Sequence, residues 1–316
     1  MRYWRSLVQA CISVVLLLSL FLFVDWRQGI NFLADANPLL MLASLFLYPV
    51  GLLIGAWRWR FFLRPFGLRP SLGKVFSSYW VGAFVSNFLP SNIGGDLSRI
   101  YIFKNYQMTA QVTASVIAER ASGAFVAISL ASAGLFLLAD GMNLPPSFGW
   151  ISFSFPAFMM FVLVATFWKG SEILLTLEAF FDGRVNAFAQ VFNKIHKLHQ
   201  SLAFYRRHGG SLLRGVFCSA VYYLFVFFTH YVLLRAIGVD FSFSKIIFLV
   251  PWINLISMIP VSMNAYGLAE GAFVYFYSNA GLLPAQALAL ALAARLIQIT
   301  GSSLGVIFIL INKGRK

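Results

Sequence analysis

Runs of apolar residues long enough to cross a lipid bilayer recur along this chain, and they constrain its fold more than any motif does. They lie at roughly 7–24, 38–57, 113–139, 150–168, 211–234 and 286–311. About 20 such residues in a helix span the ~30 Å hydrocarbon core. In hydrocarbon every backbone polar group must be satisfied within the protein, which leaves helices or a closed barrel. A barrel shows short alternating segments, whereas these runs are continuous. Of the 316 residues 60% are hydrophobic and 11% charged, against ~25% charged in soluble domains. The chain therefore reads as one integral membrane domain, 1–316, all-α and polytopic, with about six to eight transmembrane helices.

The formal charge of +14 fits a basic cytoplasmic side better than a nucleic-acid partner, because loops retained inside collect Lys and Arg. The loop "RWRFFLRPFGLRPSLGK" carries Arg58, Arg60, Arg64, Arg69 and Lys74, and the tail reads "NKGRK". Both termini then face the cytoplasm across the plasma (inner) membrane. This assignment leaves Arg27, Arg235 and Lys245 outside and Arg120 and Arg295 within the bilayer. Residues 171–208 form a cytoplasmic segment with apolar residues such as Leu177, Phe181, Val185, Phe188 and Phe192 at helical spacing. Two readings stand for it: an interfacial helix on anionic lipid, or a helical hairpin packed on the protein's own cytoplasmic face. Cys11 and Cys218 both lie in apolar runs and indicate no disulfide framework.

Two stretches break the pattern, "FLPSNIGGDLSR" at 88–99 and "MIPVSMNAYGLAEGA" at 258–272. Each follows an apolar run of about 15 residues, too short to cross. Pro90, Gly94 and Gly95 permit a turn in the first, and Pro260, Gly267 and Gly271 in the second. We read both as re-entrant hairpins, the first dipping from the cytoplasm and the second from outside. Parity is met by six spans plus two hairpins, or by eight spans. Interrupted segments at matching places in two halves point to an inverted repeat and to a site near the midplane. Unpaired backbone at that depth is tolerated only where protein buries it or a wet cavity lines it.

Asp96, Arg99, Glu119, Arg120, Glu270 and Arg295 all fall in or beside these regions. An unpaired charge near the bilayer centre costs about 2.5–3.5 kcal/mol, so these groups face the bundle, a cavity or one another. One reading is a structural ion pair, such as Glu119 with Arg295. The other is a ligand site, with arginines gripping a phosphate as bidentate forks and the acids meeting an amine. No G-x-S-x-G, H-E-x-x-H, Walker loop or Cys-x-x-Cys occurs, so no catalytic residue, metal site or cofactor is indicated. His196 and His199 alone are too few to ligate a metal.

The same residues carry a family resemblance. Asn87-x-x-Pro90-x-x-x-Gly94-Gly95-Asp96-x-x-Arg99, then Glu119-Arg120, then Pro260…Gly267-x-x-Glu270-Gly271, then Arg295 resemble the lysylphosphatidylglycerol synthase transmembrane region. That family of flippase-like membrane proteins includes the membrane half of the multiple peptide resistance factor. The resemblance covers roughly 10–312. It implies re-entrant helices and the handling of anionic or aminoacylated phospholipids, or polyprenyl-phosphate-type lipids. It further implies that Asn87, Asp96, Arg99, Glu119, Arg120, Glu270 and Arg295 line the site. Two departures are visible. No soluble aminoacyltransferase domain follows within this sequence, and Ala265 and Tyr266 stiffen a turn that is usually richer in glycine. The expectation is a lipid translocase whose partner is membrane phospholipid. The alternatives are a carrier for a small anion, or a non-catalytic partner of a separate lipid-modifying enzyme; a homo-oligomer is compatible with any of these.

Overall fold

The computed structural model describes residues 2–89, 93–103, 108–138, 150, 154, 157, 200–259 and 261–313. The elements in chain order are α1 (Arg2–Phe23), α2 (Trp26–Ala34), α3 (Pro38–Leu63), α4 (Leu72–Ser86), α5 (Ile93–Ile102), α6 (Thr109–Leu138), α7 (Gly209–Ala236), α8 (Phe243–Ser257), α9 (Leu268–Asn279), α10 (Pro284–Ser303) and α11 (Gly305–Lys313). No strand occurs among the described residues. The expected span 150–168 apart from residues 150, 154 and 157, the segment 171–199, Pro90 and Pro260 lie outside the described residues.

Among the described residues four helices are long and apolar enough to cross a membrane: Pro38–Phe66, Thr109–Gly134, Gly209–Ala236 and Pro284–Leu310. The pair α1 and α2 is bent by 90° and makes a fifth if the two are one broken span rather than a re-entrant loop. The chain is an all-α polytopic membrane protein. On α3 the residues Leu39, Leu42, Phe46, Val50, Leu53 and Trp57 recur every third or fourth position and are exposed, which is the stripe expected on lipid. The sequence assigns 25–37 to an outer loop, but most of it is helix α2. Asp25 caps this helix by accepting the Gln28 N–H at 3.1 Å, and Gly29 lies against Ala285 and Leu288 of α10.

Helices α4 and α8 are 15 residues each, about 22 Å long at 1.5 Å per residue. Neither crosses alone. Helix α5 folds back on α4 and α9 packs on α8, so each pair forms a hairpin. The eight-span alternative has no support from helices of this length.

The order helix, hairpin, helix occurs twice: α3, α4–α5, α6, and then α7, α8–α9, α10. The packing repeats as well. Helix α6 lies on α8 as α10 and α11 lie on α4, and the equivalent helices α3 and α7 pack on each other. These two run antiparallel. The Asn37 N–H donates to the Ala236 carbonyl at 2.7 Å, Gly51 sits against Phe225, and Gly215 sits against Phe62. Equivalent helices pointing in opposite directions make the two halves an inverted repeat.

Two apolar cores form, and the larger one takes Val126, Ala127, Ile128 and Ala131 of α6 together with the second half. One joins Trp59, Phe62, Phe103 and Val112 with Leu202 and Tyr205; the other joins Phe227, Ile246, Phe276 and Leu290. The Tyr205 hydroxyl donates to the Phe62 carbonyl. Residues 200–208, the described end of the segment expected on the cytoplasmic side, are thus packed on the protein itself. Burial pushes the Tyr205 phenol well above its ordinary pKa.

Candidate functional site

The site begins with a glycine contact. A methyl on Gly95 would stand 2.6 Å from the Gly82 carbonyl oxygen, and one on Gly82 would stand 3.0 Å from that of Gly95. Only glycine at both positions lets α4 and α5 approach this closely. The sequence assigns Gly94 and Gly95 to a turn. The structure places both inside α5, without left-handed backbone, so they serve close approach. The contact fixes the start of α5, whose first turn carries Asp96 and whose last turn carries Arg99. An acid in the first turn is favoured by the helix dipole.

Helix α6 brings Glu119 and Arg120 alongside, and α3 brings Arg58. The five charges form an alternating chain. Arg58 donates to Glu119 Oε1 from Nη2 at 2.5 Å and from Nε at 3.2 Å. Glu119 Oε2 accepts Arg99 Nη1 at 2.9 Å. Arg99 Nη2 donates to Asp96 Oδ1. Arg120 grips Asp96 with two bonds of 3.0 Å, Nε to Oδ2 and Nη2 to Oδ1. The Tyr79 hydroxyl also donates to Glu119 Oε1. Aromatic faces complete the packing: Arg58 lies 4.9 Å from the Tyr222 ring centroid, and Arg99 lies 4.2 Å from Tyr79.

This chain lines a cavity of about 310 Å³, to which Tyr222, Tyr223, Asn254 and Ser257 also contribute. That volume is in the range of small-ligand sites. Three arginines face two carboxylates, leaving one formal positive charge. The side chains of Glu119 and Arg99 are 1% and 4% exposed, while that of Arg120, which lines the cavity with Arg58 and Arg99, is 44% exposed. Such a chain is weak evidence of stabilisation, because replacing buried ions by apolar side chains of similar volume is often neutral or better. Its arrangement suits holding an anion. Among the described residues no group of three His, Cys, Asp or Glu could hold a metal ion.

The second half repeats the joint. Arg295 Nε donates to Glu270 Oε1 at 2.7 Å, as Arg120 Nε does to Asp96. The sequence separations are 25 and 24 residues. The surroundings differ. Glu270 Oε2 accepts the Gly267 N–H at 2.7 Å, Arg295 Nη1 reaches the Asn264 carbonyl at 3.2 Å, and its guanidinium lies 4.3 Å from the Tyr266 centroid. These contacts hold a strained turn, with Asn264 at φ 43°, Ala265 at φ 57° and Gly267 at φ 79°. Of the two residues expected to stiffen this turn, Ala265 has left-handed backbone, as does Asn264, and Tyr266 does not. Gly267 is a genuine turn glycine; Gly271 is an ordinary residue of α9 with no neighbour closer than 4.0 Å to an added methyl.

Asn87 ties the two breaks together. It donates to Ser302 Oγ at 2.7 Å and accepts from Asn264 Nδ2 at 3.3 Å. The seven expected residues therefore divide. Asp96, Arg99, Glu119 and Arg120 share the cavity; Glu270 and Arg295 brace the second turn; Asn87 links the two regions. The expected Glu119–Arg295 pair does not form, because the two lie in different clusters. The cavity also takes Arg58, which the sequence places in the cytoplasmic loop. Arg58 follows Gly51 and Gly55 at helical spacing, on the face opposite the lipid stripe, and that register was the available signal. Tyr79 and Tyr222 had no comparable one.

The sequence matches the lysylphosphatidylglycerol synthase TM region over residues 6–305. The chain belongs to this family. Among its relatives is a UPF0104 membrane protein of Methanothermobacter thermautotrophicus, 24% identical over 310 residues, covering 93% of this chain and 91% of the relative. Another, from Methanocaldococcus jannaschii, is 22% identical over 329 residues, covering 98% and 95%. No solved structure matches. In this member of the lysylphosphatidylglycerol synthase TM family, the matched residues run through both halves of the repeat and include every member of the arginine chain.

Proposed function

We propose that this protein is a lipid translocase that passes anionic phospholipid or polyprenyl-phosphate-type headgroups through the cavity while the acyl tails stay in the bilayer. The observation that carries this reading is the arginine chain, three guanidiniums against two carboxylates, lining a cavity between two hairpins that do not cross the membrane. Arg120, the most open of the three, is the residue we assign to the phosphate, with Arg58 behind it. Family membership supports a lipid-related role. Broken helices whose backbone must be sheltered from hydrocarbon support a polar path at that depth. The same reading puts the protein in the plasma membrane with both termini cytoplasmic, and makes membrane phospholipid its partner.

The test is a dithionite-quench assay on proteoliposomes carrying fluorescent anionic lipids. The expected result is faster loss of inner-leaflet signal with wild type than with empty vesicles, and a rate cut by Arg120→Gln. If wild type matches empty vesicles across several anionic lipids, the reading fails. Uptake of a water-soluble anion without lipid movement would instead favour the small-anion carrier.

A further inference from the structure

We propose that the hydrocarbon tail of the bound lipid leaves the cavity sideways, between α6 and the end of α8, and lies on Met258, Ile259 and Val261. The inference rests on the translocase reading and names the surface that takes the rest of the substrate.

Depth sets the requirement. Arg120 stands 11 residues past Thr109, the first residue of α6, about 16 Å along the axis at 1.5 Å per residue. That is near the middle of a ~30 Å hydrocarbon core. A phosphate held there keeps its tails in lipid only if the cavity opens to the side at the same level.

Four walls are shut. Gly82 against Gly95 closes α4 on α5, Gly55 against the Tyr79 ring closes α3 on α4, and the Asp96–Arg120 bonds close α5 on α6. At the back α3 and α7 meet where Gly51 lies on Phe225 and Gly215 on Phe62. The wall between α6 and α8 parts. Gly123 and Gly134 lie on one face of α6, about three turns apart. A methyl on Gly134 would stand 2.5 Å from the Phe248 ring of α8, whereas among the described residues one on Gly123 would meet only Arg58 Nη1, at 3.6 Å. The two helices thus touch at one end and separate toward Arg120. The cavity fills the gap, lined by Arg120, Gly123 and Ala124 from one side and by Asn254, Ser257 and Met258 from the other.

Met258 both lines the cavity and is 41% exposed, and Ile259 and Val261 beyond it are exposed too. Apolar surface therefore runs unbroken from the cavity to the outside of the bundle. Two bonds hold this run in place: Asn264 Nδ2 donates to Asn87, and the Met263 N–H donates to Ser13 Oγ at 2.9 Å. With a phosphate on Arg120 at the inner end, the occupant of the outer end is the hydrocarbon of the same molecule.

The test reconstitutes the purified full-length protein in phosphatidylcholine vesicles with a trace of photoreactive phosphatidylglycerol or diacylglycerol, each carrying a diazirine at the same place in its tail. Irradiation and peptide mass spectrometry locate the labelled residues. The control is the exposed stripe Leu213, Phe217, Leu224 and Phe228 of α7, which meets bulk lipid. Phosphatidylglycerol should label 258–261 about tenfold more than diacylglycerol does, because only a phosphate can bond the guanidinium. The stripe should take both equally. Arg120→Gln should bring the ratio at 258–261 down to that of the stripe, whose unchanged labelling shows that the variant is folded. Millimolar inorganic phosphate should leave the preference in place; its loss would mean that the cavity takes the free anion, and overturns the inference. Equal labelling at 258–261 in wild type, or a preference that survives Arg120→Gln, also overturns it. The vesicle translocation assay separates the two levels. Lipid moved without preferential labelling at 258–261 overturns the exit alone. Preferential labelling without lipid movement overturns the translocase reading and supports the surface as a lipid site.

Discussion

Replacing Glu119 by Gln keeps the side chain's shape and removes the charge at the centre of the arginine chain. Its side chain is 1% exposed and serves Arg58 and Arg99, themselves 10% and 4% exposed. Without it, Arg99 keeps only Asp96, which already holds Arg120, and Arg58 loses its carboxylate partner. Removing one partner of a buried ion pair costs about 3–5 kcal/mol. At about 2–4 °C per kcal/mol, the melting midpoint should fall by roughly 6–20 °C. Intrinsic tryptophan fluorescence on heating the detergent-purified protein reads this directly. The control is Arg235→Ala, which breaks an ion pair with Asp240 whose side chains are 46% and 87% exposed; that change should stay within about 1 kcal/mol. If Glu119→Gln melts with Arg235→Ala, the buried chain is not the linked unit described. The double variant Arg58→Met with Glu119→Gln should recover part of the loss, because it removes one stranded charge along with the acid.

Gly95→Ala drives a methyl into the Gly82 carbonyl and should destabilise by about 1–3 kcal/mol, whereas Gly271→Ala meets open space and should be neutral or slightly stabilising in the same melt. Arg295→Lys should not rescue Arg295→Ala, because a single ammonium cannot reach Glu270, the Asn264 carbonyl and the Tyr266 face together; increased proteolysis within 258–267 in both variants is the expected readout. Burial raises the Tyr205 phenol pKa, so its contribution is present below the ordinary tyrosine value of about 10 and is lost as pH climbs past it. Tyr205→Phe should be less stable than wild type by about 1 kcal/mol at neutral pH, and that gap should shrink in alkaline melts.

The sequence was most informative where apolar length and interruption speak for themselves. The spans at 38–57, 113–139, 211–234 and 286–311 each became a long helix, and the short runs before 88–99 and 258–272 became the first arms of hairpins. Opposite loop charge also anticipated that the halves invert. Two things were less legible. Arg58 lies in a basic string, and counting charge treats every arginine there alike; only its register against Gly51 and Gly55 separates it from Arg60 and Arg64. The division of the charges was hidden too, since Arg295 and Arg120 look equivalent until their partners are known. Helix α2 was missed because a nine-residue helix of mixed composition between two aspartates is too short to show a clear period.

The repeated joint has a mechanical consequence. Asp96–Arg120 and Glu270–Arg295 are one hinge pin made twice, but set in different solvent, with the arginine side chains 44% and 12% exposed. Parting the wetter pin exchanges a bond for water. Parting the drier one strands a charge and releases a strained turn with it. A molecule drawn from one plan repeated upside down thus has one wetter and one drier joint, and the half carrying Asp96 is expected to be the more compliant.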